Sequence, residues 1–123
     1  MSKDLYNSKE NKNRMEYTIY TTEEFDKEFN KLDKSEQTRV NKILKQLKEK
    51  VGNVGKPLSG LSFFREKKFG NKRLYFLIYE NFLVILVISI SDKKAQQATI
   101  NRILLDIKEY QQYILEIVKK SKN

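Results

Sequence analysis

Residues 82–90 form the most apolar stretch of the chain, and every residue in it except Ser89 is hydrophobic. A strand of this composition has apolar side chains on both faces, so other elements must cover both of them. Its seven consecutive apolar residues are far fewer than the roughly 18 that suggest a membrane span. The stretch therefore predicts a central strand of a sheet.

Shorter strand patterns lie on either side of this central strand. Residues rich in β-branched and aromatic side chains predict strands over 16–20, 63–69 and 73–79, with a turn at Gly70-Asn71. A tight connection is predicted at Glu80-Asn81, where Asn81 is able to adopt a positive φ. Residues 51–60 hold three of the four glycines and the one proline, so they are predicted to be irregular.

Apolar residues at helical spacing predict three helices. Thr21 or Thr22 is expected to cap the first helix, Asp33 the second and Asp92 the third. The second helix is predicted to end near Lys50. The apolar stripes of the three helices are, in turn, Phe25, Phe29 and Leu32; Val40, Ile43, Leu44, Leu47 and Val51; and Ile103, Ile107, Tyr110, Ile114 and Ile117.

The predicted order is a strand, a helical hairpin, a three-stranded antiparallel meander and a C-terminal helix. This order is typical of an α+β fold with its helices on one side of the sheet. With 123 residues, the chain is expected to form a single domain over residues 15–120. Residues 1–14 are polar and lysine-rich and lack the apolar core of a signal peptide, so we expect a flexible tail.

Charge and residue types narrow the possible functions. Lysine and arginine outnumber the acidic residues 25 to 16, and the net charge of +9 favours an anionic partner such as nucleic acid or a ribosome. The chain has no cysteine and no histidine, which excludes disulfides, thiolate metal sites and histidine acid–base catalysis. We expect a cytoplasmic protein with no metal, no cofactor and no membrane partner.

Four stretches, in this order, resemble the RelE/ParE superfamily of toxins. They are the helical hairpin with Phe25, Phe29 and residues 31–33 (KLD), residues 55–61 (GKPLSGL), residues 65–69 (REKKF) followed by 73–75 (RLY), and residues 84–90 followed by 92–94 (DKK). The resemblance covers about residues 17–103 and is closer to RelE. It implies a type II toxin bound by a cognate antitoxin, with which it could form an oligomer.

For RelE-like members, the resemblance implies an mRNA interferase that cleaves mRNA on the ribosome and inhibits translation. By position, Arg65 and Lys67 correspond to the paired basic residues of the first meander strand. Arg73 corresponds to the arginine that opens the next strand, and Lys93 to the basic residue after the last strand. The family's C-terminal tyrosine corresponds to Thr99, where this chain departs from the pattern.

Metal-free RNA cleavage needs a base for the 2′-OH, donors for the phosphate and an acid for the leaving oxygen. Positive neighbours disfavour the protonated amine of Lys67, which makes it the candidate base, with Glu66 as the alternative. Arg65 and Arg73 suit the phosphate, because a guanidinium stays charged and donates two hydrogen bonds. Lys93 is the candidate acid.

Further basic residues are candidate nucleic-acid contacts, namely Lys45, Lys68, Lys72 and Lys94. Alternate residues of a strand face opposite sides, so Arg65 and Lys67 are expected on one face, and Glu66 and Lys68 on the other. Two other functions stay open. One is a ParE-like toxin that binds a topoisomerase without RNA chemistry. The other is a non-catalytic RNA- or ribosome-binding module, which the missing tyrosine suggests.

Overall fold

A computed structural model describes residues 16–50, 52 and 54–121. Its elements are β1 (Thr18–Thr21), α1 (Glu23–Asn30), α2 (Lys34–Lys50), β2 (Lys56–Leu58), β3 (Leu61–Phe69), β4 (Lys72–Tyr79), a 3-10 turn (Glu80–Phe82), β5 (Val84–Asp92), α3 (Gln96–Leu105) and α4 (Ile107–Ser121). The predicted α+β class is confirmed, whereas the tail predicted for residues 1–14 lies outside the described residues. Within that described part, no helix is both long and apolar enough to cross a membrane.

The strands of the described chain form one five-stranded sheet in the order β1-β5-β4-β3-β2. β1 runs parallel to β5, and the other neighbouring pairs are antiparallel. The apolar strand predicted from residues 82–90 is therefore an interior strand. The edge strand β2 lies in the stretch that was predicted to be irregular. The sequence did not predict it because three residues, one of which is Pro57, are too few to show an alternating pattern.

Helices cover both faces of the sheet, so the expectation that they lie on one side is wrong. α1 and α2 pack on the face that carries Leu74, Phe76 and Ile78, which we call the hairpin face. α3 and α4 pack on the face that carries Tyr75 and Leu77, which we call the C-terminal face. β4 and β5 are buried along nearly their whole length, and only two helical layers can cover such a sheet.

Side-chain caps begin the two N-terminal helices. Thr22, rather than Thr21, caps α1, since its Oγ1 accepts a hydrogen bond from the amide of Phe25 at 3.0 Å. Asp33 caps α2 as predicted: its Oδ1 accepts from the amide of Glu36 at 2.7 Å, and Glu36 Oε1 accepts from the amide of Asp33 at 3.1 Å. This reciprocal pair is a capping box.

Two connections differ from their predictions. The single predicted C-terminal helix is divided at Asp106 into α3 and α4. In the connection between β4 and β5, Leu83 takes the positive φ of 54° that was expected for Asn81, which belongs to the 3-10 turn instead. The prediction that Asp92 caps the C-terminal helix is wrong: Ala95 is the N-cap of α3, and Asp92 caps only the turn before it, since its Oδ1 accepts from the amide of Ala95 at 2.9 Å.

Candidate functional site

The C-terminal face becomes polar at one end of β4 and β5. Glu66 lies opposite Tyr75 in the sheet, Tyr75 lies opposite Ser89, and Arg73 lies opposite Ser91. Because opposite residues of neighbouring strands share a face, these five side chains lie together. All five are buried. We call Glu66, Arg73, Tyr75, Ser89 and Ser91 the polar cluster.

Hydrogen bonds order much of the polar cluster. The hydroxyl oxygens of Tyr75 and Ser91 are 2.8 Å apart, and Ser91 Oγ donates to the carbonyl oxygen of Asp92 at 2.9 Å. Tyr75 is therefore the donor to Ser91. Gln96, the first residue of α3, donates from Nε2 to Oε1 of Glu66 at 2.8 Å. The start of α3 is thus bound directly to the carboxyl group of the polar cluster.

Arg73 is the exception to this order. Its Nε and Nη1 atoms are buried and have no hydrogen-bond partner among the described residues, and the same holds for Oγ of Ser89. An unpaired buried donor is costly, so buried polar groups are nearly always hydrogen-bonded. A guanidinium offers parallel donors that match two oxygens of a carboxylate or phosphate. Arg73 is therefore the residue of the polar cluster best suited to bind an anion.

Tyr75 is a neutral phenol in this environment. Burial raises the pKa of Tyr75 above its ordinary value, and the negative charge of Glu66 raises it further. The positive charge of Arg73 acts in the opposite direction but is smaller than the effect of burial. At neutral pH the phenol keeps its proton, which it donates to Ser91. The polar cluster thus combines a carboxyl group, a guanidinium and a neutral hydroxyl donor.

Three exposed lysines lie close in the fold to residues of the polar cluster. Lys68 lies opposite Arg73 in the sheet, on the same face, and is exposed. Lys93 and Lys94 are exposed in the short connection between β5 and α3. Positive charges on a protein surface attract anions and speed their approach. Three of the predicted basic site residues therefore lie near the buried Arg73.

Arg65 and Lys67 lie on the opposite face of the sheet. Arg65 is paired with Phe76 and Lys67 with Leu74, and both partners belong to the core under α1 and α2. The sheet therefore separates Arg65 and Lys67 from Arg73. The structure does not bring the four predicted catalytic residues together, although Arg65 and Lys67 do share a face as the alternation predicts.

Three other residues that the sequence singled out, Lys72, Lys45 and Thr99, make no contact with the polar cluster among the described residues. Nζ of Lys72 forms an ion pair with Oε2 of Glu36 in α2, at 3.0 Å. Lys45 is exposed on α2, the helix that packs on the hairpin face. Thr99, which the resemblance predicted at the position of the family's tyrosine, donates from Oγ1 to the carbonyl oxygen of Ala95 in the first turn of α3, at 2.8 Å.

Sequence reasoning did not assign Tyr75, Ser89, Ser91 or Gln96 to a site. One signal was present, since Ser89 is the one polar residue in the apolar run 82–90. The predicted two-residue turn at Gly70-Asn71 also implies that Arg73 lies opposite Lys68 rather than Lys67. The position of Ser89 opposite Tyr75 was not predictable, because the register of β4 and β5 shifts between Tyr75 and Phe76. Such a bulge depends on pairing between distant residues.

Comparison with known proteins supports the fold. No family model and no curated protein sequence matches this chain. The toxin–antitoxin complex RelBE2 from Mycobacterium tuberculosis matches with a TM-score of 0.56 and 20% identity, over 64% of this chain and 100% of that chain. A variant of the Escherichia coli toxin RelE in the free state matches with a TM-score of 0.60 and 22% identity, over 72% and 99%. The RelB–RelE complex from Methanococcus jannaschii matches with a TM-score of 0.52 and 13% identity, over 64% and 95%.

In all three comparisons nearly the whole matched chain is covered by this one. The matched structures correspond to 64–72% of this chain. The chain has the fold of the RelE-like toxins.

Proposed function

We propose that this chain is the toxin of a toxin–antitoxin system and inhibits translation by cleaving ribosome-bound mRNA. The observation that carries the proposal is Arg73, which lies buried with two unpaired donors in a fold shared with RelE toxins. The exposed lysines near Arg73 supply positive charge that favours the binding of a polyanion. A single-stranded RNA phosphate is an anion of the right geometry for a guanidinium.

The polar cluster contains the groups that RNA cleavage needs. In this reaction the 2′-oxygen attacks the phosphorus, and the bond from phosphorus to the 5′-oxygen breaks. Glu66 takes the proton of the 2′-OH, and Arg73 donates to the phosphate oxygens as negative charge develops on them. Lys93 stays the candidate donor of a proton to the leaving 5′-oxygen. The products are a 2′,3′-cyclic phosphate and a 5′-OH end.

Glu66 is preferred to Lys67 as the base because of its position. Glu66 shares the C-terminal face with Arg73, whereas Lys67 lies across the sheet. Lys68 and Lys94 suit contacts with neighbouring phosphates of the same RNA. Lys72 and Lys45 are on the side of α2, so they would reach RNA only through a separate surface.

We further propose a cognate antitoxin as a partner and the cytoplasm as the location. The structures that share the fold include complexes of RelE-type toxins with RelB-type antitoxins. The ribosome and mRNA, which are the proposed targets, are cytoplasmic.

A second candidate function is a non-catalytic RNA-binding module. The observation that favours it is Thr99, whose hydroxyl is bonded inside its own helix and brings no acid or base to the polar cluster. Such a module would bind RNA through Arg73 and the nearby lysines and leave it intact. Its affinity would fall steeply with salt.

The test compares the wild type with Arg73→Ala and Glu66→Gln after induction in cells, with mRNA 5′ ends mapped. Lys27→Ala is the matched control, because Lys27 is exposed on α1 on the far side of the sheet. We expect new 5′-OH ends with the wild type and Lys27→Ala, and their loss in the other two variants. Thermal unfolding of each purified variant checks that it is folded.

The other outcomes separate the alternatives. Growth arrest without new ends in the wild type would contradict the nuclease and favour a topoisomerase-binding toxin. RNA binding without cleavage or arrest would favour the non-catalytic module. New ends that persist in Arg73→Ala would show that the polar cluster is not the site.

A further inference from the structure

A further exposed lysine lies beside the polar cluster, on the edge strand β2. Lys56, the first residue of β2, lies opposite Glu66 of β3. Opposite residues of neighbouring strands share a face, so Lys56 lies on the C-terminal face, next to Glu66. Leu58, two positions along β2, packs in the core of that same face, as the alternation of a strand requires. The proposed reaction does not use Lys56.

Tight backbone packing holds the start of β2 against β3. Gly55 has a φ of +75°, and a Cβ at this position would lie 2.7 Å from the carbonyl oxygen of Glu66. On the other face, Nη1 of Arg65 donates to the carbonyl oxygens of Gly52 and Val54, at 3.1 and 3.4 Å. These contacts give the first residue of β2 a fixed position relative to the polar cluster.

The charge of Lys56 is available to a ligand. Its side chain is exposed, and Nζ forms no ion pair with any described residue. Glu66, the carboxyl group that lies opposite in the sheet, is buried and accepts its hydrogen bond from Gln96 instead. Three other lysines are likewise exposed and outside any ion pair in the described part of the chain, namely Lys68, Lys93 and Lys94.

These four lysines and Arg73 extend across four strands of the sheet. Lys93 and Lys94 follow β5, Arg73 lies on β4, Lys68 on β3 and Lys56 on β2. Neighbouring strands are about 4.8 Å apart, so β2 lies about 10 Å from β4 and about 14 Å from β5. A hydrogen bond from a cation to an oxygen spans only about 3 Å. Cations spread over this distance therefore match the successive phosphates of a nucleic-acid strand better than one small anion.

We propose that bound RNA crosses the polar end of the C-terminal face, from the connection between β5 and α3 to the edge strand β2. Lys56 then contacts a phosphate beyond the one that Arg73 binds. This path rests on the proposed function, because it begins from RNA bound at the polar cluster. A contact with the phosphate backbone carries no sequence information, so Lys56 adds affinity without a preference for particular bases.

Salt-dependent binding of RNA by the full chain tests this path. The probe is a fluorescent single strand of about 12 nucleotides. Its 2′-O-methyl groups replace the attacking 2′-OH, so the probe stays intact. Fluorescence anisotropy gives its affinity between about 50 and 300 mM salt. For a single strand, each phosphate contact that is lost lowers the steepness of log affinity against log salt by about 0.7.

Lysine variants with the same change of charge locate the path. Lys56→Gln and Lys68→Gln are each expected to lower the steepness by about 0.7, and to weaken binding about fivefold at about 0.1 M salt. Lys42→Gln is the matched control and should keep the wild-type steepness, because Lys42 is exposed on α2, which packs on the hairpin face. Lys56→Arg should also keep it, because the cation is retained. Thermal unfolding checks that each variant is folded.

The other outcomes separate the path from the proposed function. If Lys68→Gln lowers the steepness and Lys56→Gln does not, the path is overturned and the proposed RNA site stands. An equal decrease in Lys42→Gln would also overturn the path, since it indicates general attraction to a basic protein. Absence of binding by the wild type at the lowest salt would contradict both. The expected effect of Lys56→Gln in a protein that leaves mRNA uncut would support the path and refute the nuclease.

Discussion

Replacing Arg73 with methionine is expected to stabilise this protein while it removes the proposed activity. The side chain of Arg73 is 6% exposed, and two of its nitrogen atoms are buried without a partner. Each unsatisfied buried donor costs about 1–3 kcal/mol. Methionine has a similar length and no donors, so it fills the space without this cost.

The magnitude follows from these two atoms. Two unpaired donors at the lower end of the range amount to about 2 kcal/mol. For a domain of this size, 1 kcal/mol corresponds to a change in melting temperature of about 4 °C. Arg73→Met should therefore raise the melting temperature by about 8 °C.

Urea and thermal unfolding, followed by circular dichroism, measure the effect. Arg102→Met is the matched control, because Arg102 is an exposed arginine that forms an ion pair with Glu24. Exposed pairs contribute about 0–1 kcal/mol, so this control should be neutral or slightly destabilising. A melting temperature of Arg73→Met below that of the wild type would refute the reasoning, since it would show that the guanidinium is satisfied in the folded protein.

Three further substitutions test the backbone conformation at Gly55, the core packing of Ile114 and the protonation of Glu28. Gly55→Ala should lower the free energy of unfolding by about 1–3 kcal/mol, because Gly55 has a φ of +75° and a Cβ there would lie 2.7 Å from the carbonyl oxygen of Glu66; urea unfolding measures this. Ile114→Ala should cost about 3 kcal/mol in the same assay, because Ile114 is fully buried between α4 and the sheet. Burial raises the pKa of Glu28, although the amide of Ile90 donates to its carboxylate at 2.8 Å. A raised pKa means that the folded state binds the proton more tightly than the unfolded state, so wild-type stability should rise relative to Glu28→Gln as the pH falls through the folded-state pKa; urea midpoints between about pH 4 and 7 test this.

Each of these expectations has a control or a contradicting result. Gly52→Ala should be nearly neutral, because no atom lies within 4 Å of a Cβ at that position. Leu105→Ala should change the stability by less than about 0.5 kcal/mol, since Leu105 is 82% exposed at the end of α3. A pH dependence identical in the wild type and Glu28→Gln would contradict the titration of Glu28.

Local patterns in the sequence were sufficient to predict most of the elements. The apolar run 82–90 predicted an interior strand, helical spacing predicted α1 and α2, and Asp33 was recognised as a cap. These features depend on residues one to four positions apart, so a short window contains all the information that they require. The same local rule placed Arg65 and Lys67 on one face of β3.

The tertiary structure decided which of these residues meet. A shift of one residue in strand pairing moves a side chain to the other face of a sheet, and the bulge between β4 and β5 sets where Ser89 and Ser91 lie relative to Tyr75 and Arg73. The second helical layer, which buries the polar cluster, likewise follows from packing between distant segments. The sequence by itself determined the strands, the helices, the basic charge and the absence of histidine chemistry. Only the folded chain brought Ser89 opposite Tyr75 and Gln96 to the carboxyl group of Glu66, because pairing and packing between residues far apart in the chain set these contacts.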